Sequence, residues 1–279
     1  MIEKIRIPTP AGIFDALACG DEDGREVLLL HGFPETSLEW EFQLTALGAG
    51  GCRAVAPDQR GYSPGVRPAD VRDYRVEELV GDVAAIADEL GWRRFDLVGH
   101  DWGAVVAWAA ADAMPARIRT LTAVSVPHPV AFAKARAEDP DQAERARYIS
   151  RFQRPGEPER AFLADGAAAL ARVYAGKVPP EHVEAYVTRF CQPGALTAAL
   201  NWYRALDLGG TTGPVSVPTL FVWSTEDTAI GSTGALATEN YVTGPYRFEI
   251  LEDVSHWIPE ETPEELTRMI MEHLLAHRD

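Results

Sequence analysis

Short apolar runs punctuate the first half of the chain. Residues 2–7, 13–18, 27–30, 53–56, 95–98 and 120–126 read as strands. Segments of helical period lie between them at 37–47, 76–90 and 104–113; the second ends at Gly91, a residue suited to closing a helix, and the third stops before Pro115. Strands that alternate with helices predict βαβ units and a mostly parallel sheet, while the Pro10-Ala11-Gly12 turn predicts an antiparallel hairpin for the first two strands at the sheet edge.

The pattern changes after Pro127. From residue 128 to about 213 no strand pattern survives; the stretch is rich in Ala, Arg and Glu and is broken by Pro140, Pro155, Pro158, Pro179, Pro180 and Pro193, which predicts four or five short helices. Strand patterns resume at 219–223 and 247–251, and 263–277 reads as a final amphipathic helix. The expected organisation is an α/β core of residues 1–127 and 215–279, interrupted by an all-helical cap at 128–214. A chain of 279 residues suits one large core with such an insert better than two domains in series.

Charge narrows the partners. The formal net charge of −16 repels phosphates and anionic lipid, so neither nucleic acid nor a membrane surface is expected as a partner. Cys19, Cys52 and Cys191 are scattered without CxxC spacing, which predicts neither a disulfide framework nor a zinc site. The amino-terminal residues carry no apolar leader pattern and no apolar run approaches a membrane span, so the expected location is the cytoplasm.

Gly99-His100-Asp101-Trp102-Gly103 lies between the strand at 95–98 and the helix at 104–113. A sharp strand-to-helix turn strains its central residue and presents that side chain above the sheet, and glycines two residues to either side remove the clashes this geometry creates. The helix N-terminus favours the ionised carboxylate of Asp101. A carboxylate needs no base to activate it and suits displacement at a saturated carbon, giving an alkyl ester that water can then hydrolyse. A serine would form a dead-end ether with the same electrophile.

The turn His31-Gly32-Phe33-Pro34 after an early strand, the elbow around Asp101, Ser224-Thr225-Glu226-Asp227 after a late strand, and Val254-Ser255-His256-Trp257 after the last one together resemble the α/β-hydrolase fold. That resemblance implies an eight-stranded, mostly parallel sheet flanked by helices. It also implies backbone N–H groups of Phe33 and Trp102 as the oxyanion hole, His256 as general base, and an acid that orients it, Asp227 or its neighbour Glu226. The remaining histidines have weaker claims: His31 and His100 are motif neighbours expected to be packed, His128 opens the cap, His182 lies within it, and His273 and His277 lie on the final helix.

Within that fold the chain resembles the soluble epoxide hydrolases. The likeness runs through His31-Gly32-Phe33-Pro34-Glu35, Asp58-Gln59-Arg60-Gly61-Tyr62-Ser63, Val98-Gly99-His100-Asp101-Trp102-Gly103 and Ser255-His256-Trp257, and in the cap through Tyr148-Ile149-Ser150-Arg151-Phe152-Gln153 and Leu200-Asn201-Trp202-Tyr203-Arg204. It implies that Tyr148 and Tyr203 bond the epoxide oxygen, that Phe33, Trp102 and Trp257 join them in binding substrate, and that no metal or organic cofactor is required. The expected partner is a small hydrophobic electrophile; self-association as a homodimer is left open. Dehalogenases share most of these motifs, although Phe33 stands where many carry Asn and Trp102 where haloacetate dehalogenases carry Arg. The same pocket could also serve an esterase or lactonase, or a non-catalytic binding protein built on this scaffold.

Overall fold

The computed structural model describes residues 1–206 and 211–278. Eight strands form one sheet: β1 (Glu3–Thr9), β2 (Gly12–Cys19), β3 (Arg25–Leu30), β4 (Cys52–Pro57), β5 (Phe95–His100), β6 (Ile118–Val124), β7 (Thr219–Ser224) and β8 (Tyr246–Leu251). Their order is β1-β2-β4-β3-β5-β6-β7-β8. The β1–β2 hairpin is antiparallel at the edge, β2 runs antiparallel to β4, and the remaining pairs are parallel. Every strand expected from the pattern is present, with ends displaced by no more than two residues.

The sheet is covered on both faces, which is why its central strands are apolar at consecutive positions rather than at every second one. In β3, Val27 and Leu29 pack into one cluster with residues of α1 (Glu41–Ala49) and the final helix, whereas Leu28 and Leu30 pack into the other with α2 (Val76–Glu89) and α3 (Trp102–Ala113). The expected helix at 37–47 begins instead as a 3₁₀ turn over Ser37–Trp40, held where Thr36 accepts from the Leu38 amide and the Ser37 amide donates to Asp58 Oδ1. Gly91 closes α2 in a left-handed conformation, with the Trp92 amide reaching back to the Ala87 carbonyl.

Between β6 and β7 the described residues form seven α-helices, not four or five: α4 (Pro129–Glu138), α5 (Pro140–Arg145), α6 (Arg147–Phe152), α7 (Glu157–Leu163), α8 (Ala168–Ala171), α9 (Pro180–Phe190) and α10 (Ala195–Ala205). The prolines explain the difference. Four of these helices carry Pro in their first turn, where a missing N–H is harmless, so each such proline opens a new helix as well as ending the last. The expected cap at 128–214 includes residues 207–210, which lie outside the described residues. After β7 come α11 (Ser232–Ala237), α12 (Ile258–Glu261) and α13 (Pro263–Ala276).

Polar ties seat the helical segment over the carboxyl ends of the strands. Trp202 Nε1 donates to the Arg60 carbonyl at 2.9 Å, Tyr186 donates to Glu260 Oε1 at 2.9 Å, and Arg189 pairs with Asp58 at 3.0 Å. Among the described residues no helix is long and apolar enough to cross a membrane.

Candidate active site

Asp101 follows β5 and precedes α3 with φ 49° and ψ −119°, a left-handed backbone that a non-glycine residue adopts only under strain. The flanking glycines are required by space: a Cβ on Gly99 would sit 2.2 Å from the Gly103 carbonyl oxygen, and one on Gly103 would sit 1.9 Å from that of Leu30. The strain holds a buried carboxylate in place. Its Oδ1 accepts the Phe33 N–H at 2.8 Å and its Oδ2 lies 3.4 Å from His256 Nε2.

His256 is fixed at both ends. Its Nδ1 meets Asp227 Oδ2 at 2.7 Å. Its carbonyl accepts Ser125 Oγ at 3.0 Å and His100 Nε2 at 2.9 Å. Asp227 is buried in turn, its Oδ1 accepting the amides of Ala229 at 2.7 Å and Ile230 at 2.9 Å, and its carbonyl accepting the Arg145 guanidinium. Glu226, the rival for the acid, is exposed.

These contacts set the charge state. Burial lowers the His256 pKa, but the Asp227 charge and hydrogen bonds to Asp101 and Asp227 outweigh it and push it up to about 10. Burial alone would raise Asp101; the His256 bond and charge, helped by His100 and the Phe33 amide, hold it below the usual carboxylate range. The resting pair is therefore a carboxylate facing an imidazolium.

An aspartate nucleophile changes what an oxyanion hole must hold. Once Oδ2 is esterified, Oδ1 becomes the ester carbonyl oxygen and carries the charge of the tetrahedral intermediate. The Phe33 amide already points at that atom. Trp102 is the first residue of α3, so its N–H has no partner within the helix.

Tyr148 on α6 and Tyr203 on α10 line the same cavity as Asp101 and Trp102, a space of about 460 Å³. Their rings meet edge to face with centroids 6.1 Å apart, and Tyr203 also packs edge-on against Trp102 at 5.0 Å. Burial raises both phenol pKa values, with Asp101 adding to it for Tyr148, and Tyr148 and then Asp101 for Tyr203, so both stay protonated and remain donors. Two further expected substrate-binding groups, Phe33 and Trp257, pack beside the catalytic residues. The Phe33 ring is not among the residues lining this cavity, being packed against Phe152, Phe190 and Tyr203. Trp257 leads into α12 and packs on Tyr174 and edge-on against His256, each 5.2 Å between centroids.

Sequence reasoning passed over a buried acid cluster behind the oxyanion turn. His100 Nδ1 lies 3.2 Å from Glu35 Oε2 and 3.3 Å from Glu39 Oε2, and Glu260 is bonded to His182 at 2.7 Å and to Tyr186. Burial lifts Glu35 and Glu260 to about 8 and Glu39 well above its ordinary range, while the carboxylates carry His100 up to about 9 against the opposing effect of burial. Glu35, Glu39 and His100 also form, among the described residues, a group with ligand atoms within 4.8 Å of one another. Protons shared among the carboxyls and the imidazole account for the arrangement. The other histidines are packed: His31 is neutral, with burial lowering its pKa to about 4, and His128 caps α4 and stacks on Tyr241.

An elbow after β5, an acid after β7 and a histidine after β8 define a hydrolase class by their order along one sheet. The chain belongs to the alpha/beta hydrolase family, whose model matches residues 27–269. Epoxide hydrolase A of Mycobacterium tuberculosis is 32% identical to it over 302 residues, covering 91% of this chain and 92% of the relative. Epoxide hydrolase 3 of Xenopus tropicalis is 35% identical over 283 residues, covering 95% and 77% respectively. The crystal structure of the Vigna radiata epoxide hydrolase VrEH1 matches with a TM-score of 0.87 at 28% identity, over 99% of this chain and 98% of that one.

Proposed function

We propose that this chain is an epoxide hydrolase that converts an epoxide to a vicinal diol through an ester of Asp101. The observation that carries the reading is the cavity that holds Asp101 together with the two protonated phenols of Tyr148 and Tyr203. Ring opening leaves a strongly basic alkoxide, and a phenol is acidic enough to protonate it while remaining protonated itself at neutral pH. A departing halide has no such need.

In the first half-reaction Asp101 Oδ2 bonds to one epoxide carbon as the carbon–oxygen bond breaks. A tyrosine phenol gives its proton to the alkoxide. Esterification removes the Asp101 charge, which together with that of Asp227 held the His256 proton, and that proton replaces the one the phenol gave up. His256 is then neutral. In the second half-reaction His256, oriented by Asp227, takes a proton from water as the hydroxide bonds to Asp101 Cγ. The amides of Phe33 and Trp102 hold the oxyanion on Oδ1. Collapse expels the diol oxygen, which takes the proton from His256; the Asp101 carboxyl left behind then gives its own proton to His256, restoring carboxylate and imidazolium.

The substrate class this supports is a small hydrophobic electrophile, since apolar side chains such as Val105, Phe132 and Ile230 line the cavity. Three free thiols support a reducing compartment, the cytoplasm. Diol formation from styrene-type, aliphatic and terpenoid epoxides tests the reading. Tyr148→Phe with Tyr203→Phe is expected to abolish it; halide release from haloalkanes with no diol from any epoxide would favour a dehalogenase, and cleavage of nitrophenyl esters alone an esterase.

A further inference from the structure

The cavity runs from buried Asp101, Trp102 and Tyr203 to exposed Ala133 and Thr211, so it has a closed end at the nucleophile and an open one. Its walls between them are mostly apolar; the polar exceptions are the Tyr148 phenol, Thr212 and one charged residue, Arg136. Arg136 lies on α4 one turn after Phe132, and both line the cavity. It is the only basic residue to do so among the described residues.

Its surroundings set it apart from the paired arginines of the helical segment and from the exposed Arg160 and Arg172. Arg145 and Arg147 pair with Asp141 and Glu144 at 2.7 Å each, and Arg204 with Glu159 at 2.8 Å. Arg136 is half-buried and has no ion-pair or hydrogen-bond partner among the described residues. Its charge nonetheless reaches into the cavity: it opposes the upward push that burial and the carboxylates exert on the Tyr148 phenol. A guanidinium has five donors in a planar fork that fits a carboxylate, and here that fork faces a cavity whose only acid among the described residues is Asp101 at the other end.

We propose that Arg136 is a specificity residue that receives a carboxylate carried at the far end of an otherwise apolar epoxide. The inference rests on the epoxide-hydrolase reading and names its substrate class: an amphipathic epoxy acid, its reactive ring at Asp101 and its anion at the cavity mouth. The overall charge of −16 disfavours anions at long range. Selection for the acid therefore comes from this one contact, at short range, after the apolar stem has entered.

The test compares a medium-chain terminal epoxide bearing a distal carboxylate with its primary amide, in the unaltered enzyme, in Arg136→Gln and in Arg136→Lys. The acid-to-amide ratio of kcat/KM is expected to be about tenfold in the unaltered enzyme, the scale of one charge-assisted contact at a half-buried site. Arg136→Gln is expected to bring the ratio near one through KM, Arg136→Lys to restore part of it, and added salt to raise KM for the acid alone. An equal ratio in the unaltered enzyme and Arg136→Gln overturns the proposal, since an effect through Tyr148 or through the fold would change both substrates alike. Calorimetric binding of the corresponding saturated carboxylate and amide separates this from the chemistry. Arg136-dependent preference for the carboxylate without turnover of either epoxide would uphold the subsite and reject the epoxide-hydrolase reading; turnover of both with no preference would do the reverse.

Discussion

The Phe33 amide donates to Oδ1 of Asp101 across 2.8 Å, and that bond assigns separate tasks to the two carboxylate oxygens. Oδ1 is occupied and will carry the oxyanion. Oδ2, 3.4 Å from His256 Nε2, is the oxygen left to attack carbon. The same donor thus steadies the nucleophile in the first step and the tetrahedral intermediate in the second, without the backbone moving.

Replacing the base separates the two steps. His256→Gln keeps the Asp101 carboxylate and the phenols, so an epoxide is expected to alkylate Asp101 while hydrolysis slows by about a hundredfold or more. Intact-protein mass spectrometry would find the adduct accumulating at the mass of the epoxide. Unchanged turnover with no adduct would reject His256 as the base.

The two steps are also expected to differ in pH dependence. Asp101 is held below the usual carboxylate range and so stays ionised on the acid side of neutrality. Asp227 and Asp101 together hold His256 near 10; esterification removes the Asp101 contribution, its pKa falls, and the neutral form that activates water is lost again as pH drops. Stopped-flow fluorescence of Trp102 is expected to show alkylation nearly flat from about pH 8 to pH 5 and ester hydrolysis falling over the same range. Parallel loss of both would contradict the assignment.

Asp227→Asn keeps an acceptor for the Ala229 and Ile230 amides but removes the charge that contributes most to raising the His256 pKa. The ring loses its orienting partner, and kcat is expected to fall by at least about a hundredfold with little loss of stability. Nuclear magnetic resonance of the imidazole should show the His256 pKa reduced. An unaltered His256 titration would mean that Asp227 does not set it.

The acid cluster predicts how stability varies with pH. Glu35 and Glu260 titrate near 8 and His100 near 9 in the folded chain, all above their ordinary values, so the folded state holds more protons than the unfolded one across that interval. Stability is then greatest on the acid side and declines as pH rises through those values. The melting temperature is expected to fall from about pH 6 to pH 9, and Glu39→Gln, which removes a charge that raises Glu35, to flatten the decline. A decline of the same steepness in the variant would place its origin elsewhere.

What could be read from the sequence follows from how local each signal is. The strands were legible because their apolar runs are continuous, and Asp101 because strand, glycines and helix sit within about a dozen residues of it. Asp227 and Glu226 could not be separated by pattern; burial and two loop amides distinguish them, and both depend on the folded turn. The cap helices were undercounted because a proline that opens a helix looks the same in sequence as one that ends it. Glu260 joins Glu35 and Glu39 from more than two hundred residues away, so the cluster has no local signature. The place of Trp257, between His256 and Tyr174 of the helical segment, likewise depends on contacts that no local pattern carries.

The mechanism turns on one chemical event, the bond that Asp101 makes to substrate and that water breaks at Asp101 Cγ. A single turnover in H₂¹⁸O, with enzyme in excess of epoxide, reads that event out. The diol is expected to leave without label, its new oxygen having come from Asp101, and the peptide containing Asp101 to gain one ¹⁸O. Label in the diol after that first turnover, with none in the Asp101 peptide, would mean that water attacks the epoxide directly and that Asp101 is not the nucleophile.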